Sequence, residues 1–568
     1  MIDHILVGVA WPYANGPLHV GHLAGAYLPA DIFTRYQRLK GRKVLMVSGS
    51  DCHGTPITLQ AGREGLTPQQ LIRKNHEAFL KTFLRLGISF DLFTQTFTDN
   101  HYATTREFFL TLLKNGYLYK DRTTGSYSES LSRFLPDRFI EGTCPHCGFT
   151  RARGDQCDNC GRLLEPTELI EPHSTIDGGT ITFRDTEHFV LDLAKLEPSL
   201  RQWLDGTDHS YWRANTLLAT QNWLREGLHG RAITRDLEWG VPVPVDDPAF
   251  REKRIYVWFD AVIGYYSATK EWAQLQGQPE RWREWWDIEK TRSYYFIGKD
   301  NIPFHTIIWP AILLGSGIQS LPYDVPANEF LNYEGEKMST SRNWALWAHD
   351  IEDRYDPDAI RYYLAANAPE GRDTSWYAAD FVRRNNDELV ATWGNLANRV
   401  LTIAHRHFGR VPQPAAFQAA DTELLGAARE AFDTVGASID RVELKAALQQ
   451  VMGLATRANQ YVTAQEPWRL VKENPERAAT VLYVSLQVVD HLSALFSPFL
   501  PFSCARLRAY LGYSIGKESE SRLVQTTDPD GEARNILVNS GDHKSRWEPR
   551  DLSPGQVLSE PQPLFAKL

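Results

Sequence analysis

The period of the apolar positions changes several times along this chain, and each change marks a boundary. Ile5, Leu6, Val7, Val9 and Ala10 form a short apolar run, which predicts a strand covered on both faces. Pro12, Asn15, Gly16 and Pro17 break it. From Val20 onward Leu23, Ala26, Tyr27, Ala30, Phe33 and Tyr36 recur at near-helical spacing, which predicts a helix kinked by Pro29 inside the run. Residues 43–48 predict a second strand, and 67–116 read as helices behind a Thr67-Pro68 start signal. Across 118–235 the pattern shifts to short strands and turns, and strand-like segments return at 254–259 and 293–298. Helix and strand alternating on both sides of an interruption predict an α/β fold whose doubly wound parallel sheet is split in sequence, its halves being 1–117 and 236–322.

After a linker region over 323–380, long amphipathic helices follow one another over 381–511, with Pro412, Pro414, Pro467, Pro498 and Pro501 as breakers. They predict a helical bundle. The tail, 512–568, is polar but ends in Pro563, Leu564 and Phe565, apolar enough to pack back. At 568 residues the chain exceeds one compact domain. Its 42% hydrophobic and 23% charged residues are ordinary for a soluble protein. A net charge of −9 argues against non-specific nucleic-acid binding over the whole surface but allows a local basic face. No segment reads as a signal peptide or an uninterrupted membrane span, so a cytoplasmic protein with no membrane partner is expected.

Four of the six cysteines, Cys144, Cys147, Cys157 and Cys160, are spaced C-x2-C-x9-C-x2-C with Gly148 and Gly161 after the pairs. Two thiolate pairs with turn glycines are the pattern of tetrahedral Zn2+ coordination. Four protein ligands leave no open position, so one structural zinc is expected in a knuckle over 144–160. Two disulfides are the alternative, and they would need an oxidising compartment.

Residues 10–22, A-W-P-Y-A-N-G-P-L-H-V-G-H, put His19 and His22 at a helix start directly behind the first strand. Unpaired backbone N–H groups and the positive end of the helix dipole make such a place an anion site. Gly21 between them lets a flat ring or a phosphate chain approach the backbone. Asp51 and His53 follow the second strand, at the carboxyl end where open parallel sheets bind ligands.

H-V-G-H near the start and K-M-S-T-S within 334–342, E-G-E-K-M-S-T-S-R, form a pair more specific than either half. With them stand the loop G-S-D-C-H-G-T-P, V-W-F-D-A with Tyr265 following, and F-I-G-K-D with His305. The chain resembles the class I aminoacyl-tRNA synthetases, and within them the methionyl-tRNA synthetase family. The resemblance implies a Rossmann-like catalytic domain, then a helical domain that reads the anticodon. It implies activation of methionine by ATP with Mg2+, and transfer to the terminal adenosine of methionine tRNA. Carried over by motif, His19 and His22 steady the transition state, Lys337 reaches the triphosphate, and Gly21, Lys299, Asp300, Ser339, Thr340 and Ser341 complete the ATP site. Ala10, Trp11, Tyr13, Trp258, Ala261, Tyr265 and His305 form the methionine pocket, with Asp51 on the ammonium. Asn395, Arg399 and Trp468 contact the anticodon.

Thr340 departs from the family's usual second lysine. Either Lys337 carries the neutralisation, helped by Arg342 or Lys299, or activation is slower. A cysteine-activating synthetase and a non-catalytic tRNA-binding paralogue are the other readings. Discriminating amino acids by one methylene is worth only about 1 to 3 kcal/mol, so synthetases for branched side chains carry an editing domain; this insertion is too short for one. A monomer is expected.

Overall fold

The computed structural model describes residues 3–154, 157, 159–160, 164–338, 344–514, 521–539 and 546–568. Five parallel strands form the centre of the main sheet. From one edge they run Ala327–Asn328, Thr291–Gly298, β1 (His4–Val9), β2 (Lys43–Ser50) and β3 (Leu92–Gln95). β1 is buried along its whole length. Ile5, Val7 and Val9 join one large core and Leu6 joins the other, so the apolar run exists because both faces of the sheet are covered.

Three expectations change. β3 lies inside the stretch read as continuous helix; its four residues are too few to impose a period on the neighbouring helical patterns. The run 254–259 gives only the two-residue strand Arg254–Ile255, and Val257–Leu275 is a helix. That helix is buried on nearly every side, from Phe259 and Asp260 to Thr269, and a segment apolar all round carries no period to distinguish it from a buried strand. The polar tail, third, extends the sheet: Ala533–Asn539 pairs antiparallel with β3, and Ser521–Thr527 forms the outer strand of that hairpin. Arg534 anchors the hairpin, reaching Glu271 and Thr94 at 3.0 Å each. Leu564 and Phe565 do pack back and are buried.

Pro29 acts differently from a simple kink. The helix opens as Val20–His22, widens into a π-helical turn over Leu23–Tyr27, and continues as Leu28–Leu39. Proline has no N–H for the carbonyl four residues back. That carbonyl, of Gly25, accepts the side-chain N–H of buried Asn328 at 2.7 Å; left unpaired it would cost about 1 to 3 kcal/mol.

The insertion is carried on a long antiparallel pair, Leu118–Ser128 with Ile181–Leu191. It ends in a small three-stranded sheet with its own core, which includes Phe139, Ile140, Ala152 and two of the cysteines. The C-terminal helices include Asn395–Phe408, Ala419–Asp440, Leu444–Gln465 and Pro475–Phe496. Pro475–Phe496 is long and apolar enough to cross a membrane, but 89% of its apolar window is buried inside the protein, which makes it the core helix of the bundle. Asp31 on the first long helix joins the two large parts of the chain. It binds Arg35 at 2.8 Å and Arg361 at 2.7 Å, and Arg361 donates to the carbonyls of Leu86, Pro498 and Phe499. Burial alone would raise the Asp31 carboxyl; the two guanidinium groups and Ser89 outweigh it and hold it at about 2.

His76 joins β2 to the C-terminal hairpin, Nδ1 to Ser50 Oγ and Nε2 to the Asn535 carbonyl, both at 2.7 Å. Burial, helped by nearby Arg534, pushes its pKa down to about 3. The unfolded chain therefore binds a proton here that the folded chain does not, from the ordinary histidine value of about 6.5 down to about 3. Stability from this group is complete above that upper value and falls with pH across the window. At pH 5 the loss from His76 alone is about 2 kcal/mol. The thermal midpoint should drop between pH 7 and pH 5, and His76→Gln should flatten that dependence; an unchanged slope would contradict the assignment.

Candidate active site

A cavity of about 470 Å³ opens at the carboxyl ends of the central strands. Ala10, Trp11, Tyr13, Asp51, Trp258, Ala261, Tyr265 and His305 all line it, and so do His19, Gly21, His22, Asp300 and Lys337. Lys299 is not among the lining residues, because its ammonium is held by Glu329 at 2.6 Å and Asp373 at 2.9 Å. Ser339, Thr340, Ser341 and Arg342 lie outside the described residues. Residues that motif reading passed over also line it: Tyr27, Phe304, Phe330, Leu331 and Met338. Phe330 and Leu331 had a findable signal, since they stand at the start of the short strand Leu331–Tyr333, just ahead of the lysine motif.

One end of the cavity is aromatic. His305 Nδ1 donates to the Asn301 carbonyl at 2.9 Å, which leaves Nε2 to accept from the Tyr265 hydroxyl at 2.8 Å. Burial pushes the His305 pKa down to about 4, so the pair is uncharged at neutral pH. Trp258 stacks on Phe304 with ring centroids 4.2 Å apart. Trp11 stands edge-on to Tyr265. The slot for Trp11 exists because Gly264 has no side chain: a Cβ there would lie 2.6 Å from the indole. Such a wall suits an unbranched, polarizable side chain.

Asp51 marks the next portion. Its backbone bridges to Tyr13, and its N–H donates to the Pro12 carbonyl at 2.8 Å. Behind it Asp260 accepts from His53 Nδ1 at 2.8 Å, while its other oxygen is buried without a partner. Burial, then the neighbouring Asp260 carboxyl, pushes Asp51 well above the usual carboxylate range, and burial does the same to Asp260. Two desolvated carboxyls side by side favour an incoming cation. His53, His101 and Asp260 are close enough for a metal. Their atoms are already bonded, however: His53 to Asp260 and Tyr102, His101 to Ser267 and Thr105.

The other end is built from the two signature motifs. His19 caps the short helix Val20–His22, and its backbone N–H donates to His22 Nδ1 at 3.2 Å. The imidazoles stack at 3.7 Å. Burial, with His22 adding to it, lowers His19 well below its usual value, and burial takes His22 to about 4. Neutral rings can stack at that distance without repulsion. The segment that follows the lysine motif reaches them through backbone: Val20 N–H donates to the Leu346 carbonyl at 3.0 Å and Ala348 N–H to the Leu18 carbonyl at 2.8 Å. The methyl of Met338 lies 2.7 Å from where a Cβ on Gly21 would stand.

In the insertion the sulfurs of Cys144, Cys147, Cys157 and Cys160 all lie within 4.8 Å of one another, with Cys144 to Cys160 at 4.0 Å and Cys147 to Cys157 at 3.6 Å. A tetrahedron with Zn–S of about 2.3 Å separates its sulfurs by about 3.8 Å, so the cluster fits the ion. The Phe149 N–H and Asn159 hold the Cys147 thiol down to about 6, toward the thiolate that ligation needs. In the C-terminal helices Asn395 begins a helix and Arg399 follows one turn on. The Arg399 guanidinium lies 5.1 Å from the ring of Trp468, which is 40% exposed.

The sequence profile described as tRNA synthetases class I (M) matches residues 5–401, and that of the anticodon binding domain of methionyl tRNA ligase matches 411–526. A methionine–tRNA ligase of Roseiflexus sp. is 67% identical and one of Chloroflexus aggregans 50% identical, each aligned over 100% of this chain and 97% of the relative. Among solved structures, Mycobacterium tuberculosis methionyl-tRNA synthetase bound by methionyl-adenylate superposes with a TM-score of 0.76 at 25% identity, covering 100% of both chains. With matches of this extent to both parts, the chain belongs to the class I methionyl-tRNA synthetase family.

Proposed function

We propose that this protein activates methionine with ATP to methionyl-adenylate and pyrophosphate, then transfers methionine to the terminal adenosine of its tRNA. The observation that carries the reading is one cavity: an aromatic end, the desolvated Asp51 carboxyl with Asp260 behind it, and residues of both signature motifs face one space. Asp51 takes the substrate ammonium, whose charge the two buried carboxyls lack. Trp11, Tyr13, Trp258, Tyr265 and His305 surround the side chain. The methionine carboxylate attacks the α-phosphate. Phosphoryl transfer of this kind needs alignment and charge stabilisation more than acid–base chemistry. His19 and His22 donate to phosphate oxygens as neutral rings, Lys337 answers the charge on the leaving pyrophosphate, and Mg2+ enters with ATP. Asn395, Arg399 and Trp468 stack and hydrogen-bond anticodon bases. Cys144, Cys147, Cys157 and Cys160 hold one structural zinc, and such thiolates persist in the reducing cytoplasm.

Pyrophosphate exchange into ATP should depend on methionine and on no other amino acid. Thr340→Lys, which adds the family's missing ammonium, should speed it by about two- to tenfold. No exchange with any amino acid while tRNA still binds would favour the non-catalytic paralogue. Gly21→Ala should weaken kcat/KM for ATP by about ten- to a hundredfold with KM for methionine unchanged, since its methyl meets Met338 and the His19 ring. The purified protein should carry one zinc per chain, and Cys157→Ser or chelation should remove it and lower the thermal midpoint; full stability without metal would refute a structural role.

A further inference from the structure

Phe330 lies just beyond the edge strand Ala327–Asn328, between the cavity and the segment that bears Lys337. Its position is fixed from several sides. The Phe330 N–H donates to Asp373 Oδ1 at 2.9 Å, and the same carboxylate takes the Lys299 ammonium. Lys299 is held a second time by Glu329, whose other oxygen accepts from Asn215 at 2.8 Å. Two cations face the ring: Lys299 Nζ lies 4.2 Å and Lys337 Nζ 4.1 Å from its centroid. Two bare ammonium groups on one ring would repel each other. Here Glu329 and Asp373 neutralise Lys299, so the ring stays attractive to the second cation.

We propose that Phe330 is a positioning residue for the activation step, its ring holding the motif lysine Lys337 at the edge of the cavity until ATP arrives. The inference rests on the activation reading above and adds a residue and an ion triad to it. Cation–π attraction at a part-exposed ring is weaker than a charge-assisted bond to a phosphate oxygen. The ring therefore keeps the lysine near without competing with the triphosphate. With a threonine at position 340, a single motif lysine must find the pyrophosphate, and its starting place matters more. Lys299 acts in this scheme through the ring and its carboxylates.

The test is methionine-dependent pyrophosphate exchange by the full chain. Phe330→Leu keeps bulk but removes the aromatic face; kcat should fall about two- to fivefold, with KM for methionine unchanged. Phe330→Tyr should keep the original rate. In a Lys337→Met background Phe330→Leu should have no further effect, because the group it positions is gone. Asp373→Asn, which leaves Lys299 less neutralised, should lower kcat in the same direction and lose its effect in the same background. An equal fall from Phe330→Leu with and without Lys337, a matching rise in KM for methionine, or failure of Phe330→Tyr to keep the rate would overturn the proposal. An unchanged chain that gives no exchange would instead overturn the activation reading, and this inference with it.

Discussion

Two backbone hydrogen bonds, from Val20 to Leu346 and from Ala348 to Leu18, are the contact on which the site depends. They fasten a loop from beyond the end of the sheet to the start of the first helix, and so make one site out of two motifs far apart in the chain. Backbone bonds can do this whatever side chains the loop carries between its anchors. Met338 then packs over Gly21 and Lys337 reaches Phe330, both within the distance the bridge permits.

Desolvation governs the chemistry of the cavity. Burial pushes His19, His22, His53 and His305 toward the neutral form and pushes Asp51 and Asp260 toward the protonated one. A buried charge without a partner is costly, so the pocket keeps its groups uncharged until the substrate supplies the opposite charge. In the activation reading proposed above, an ammonium beside Asp51 would permit that carboxyl to ionise, and phosphate oxygens at the imidazoles would favour their N–H donors. Binding and electrostatic preparation of the site are in this sense the same event.

The helical domain is tied to the catalytic sheet by polar groups as much as by packing. Arg361 draws carbonyls from two parts of the chain onto Asp31. Asp440 accepts from Tyr36 and Gln37 at 3.0 Å each, and Trp547 donates to the Phe432 carbonyl while standing edge-on to Tyr36. The tail thus closes a seam that begins at the hairpin on β3. Such polar networks favour one relative placement of the parts, because a shift would strand charged or polar groups.

Sequence alone determined what local chemistry can encode. The two-sided burial of β1 is written in its unbroken apolar run, the four-cysteine cluster in the spacing of its residues, the bundle in its helical period, and much of the candidate pocket in short motifs, most of whose described residues face one cavity. It could not give β3, the helix at Val257–Leu275 or the C-terminal hairpin. β3 is too short to show a period, that helix is apolar on all sides, and the pairing of Ala533–Asn539 is set by the open edge of β3, which no local pattern records. Nor could sequence show that Glu329 and Asp373 hold the Lys299 ammonium, or find Phe330, which matters only through the cations that tertiary folding brings to its ring. Periodicity and motif spacing report on neighbours along the chain. Which charges are neutralised, and which rings they meet, is decided by residues that become neighbours only when the sheet and helices close around them.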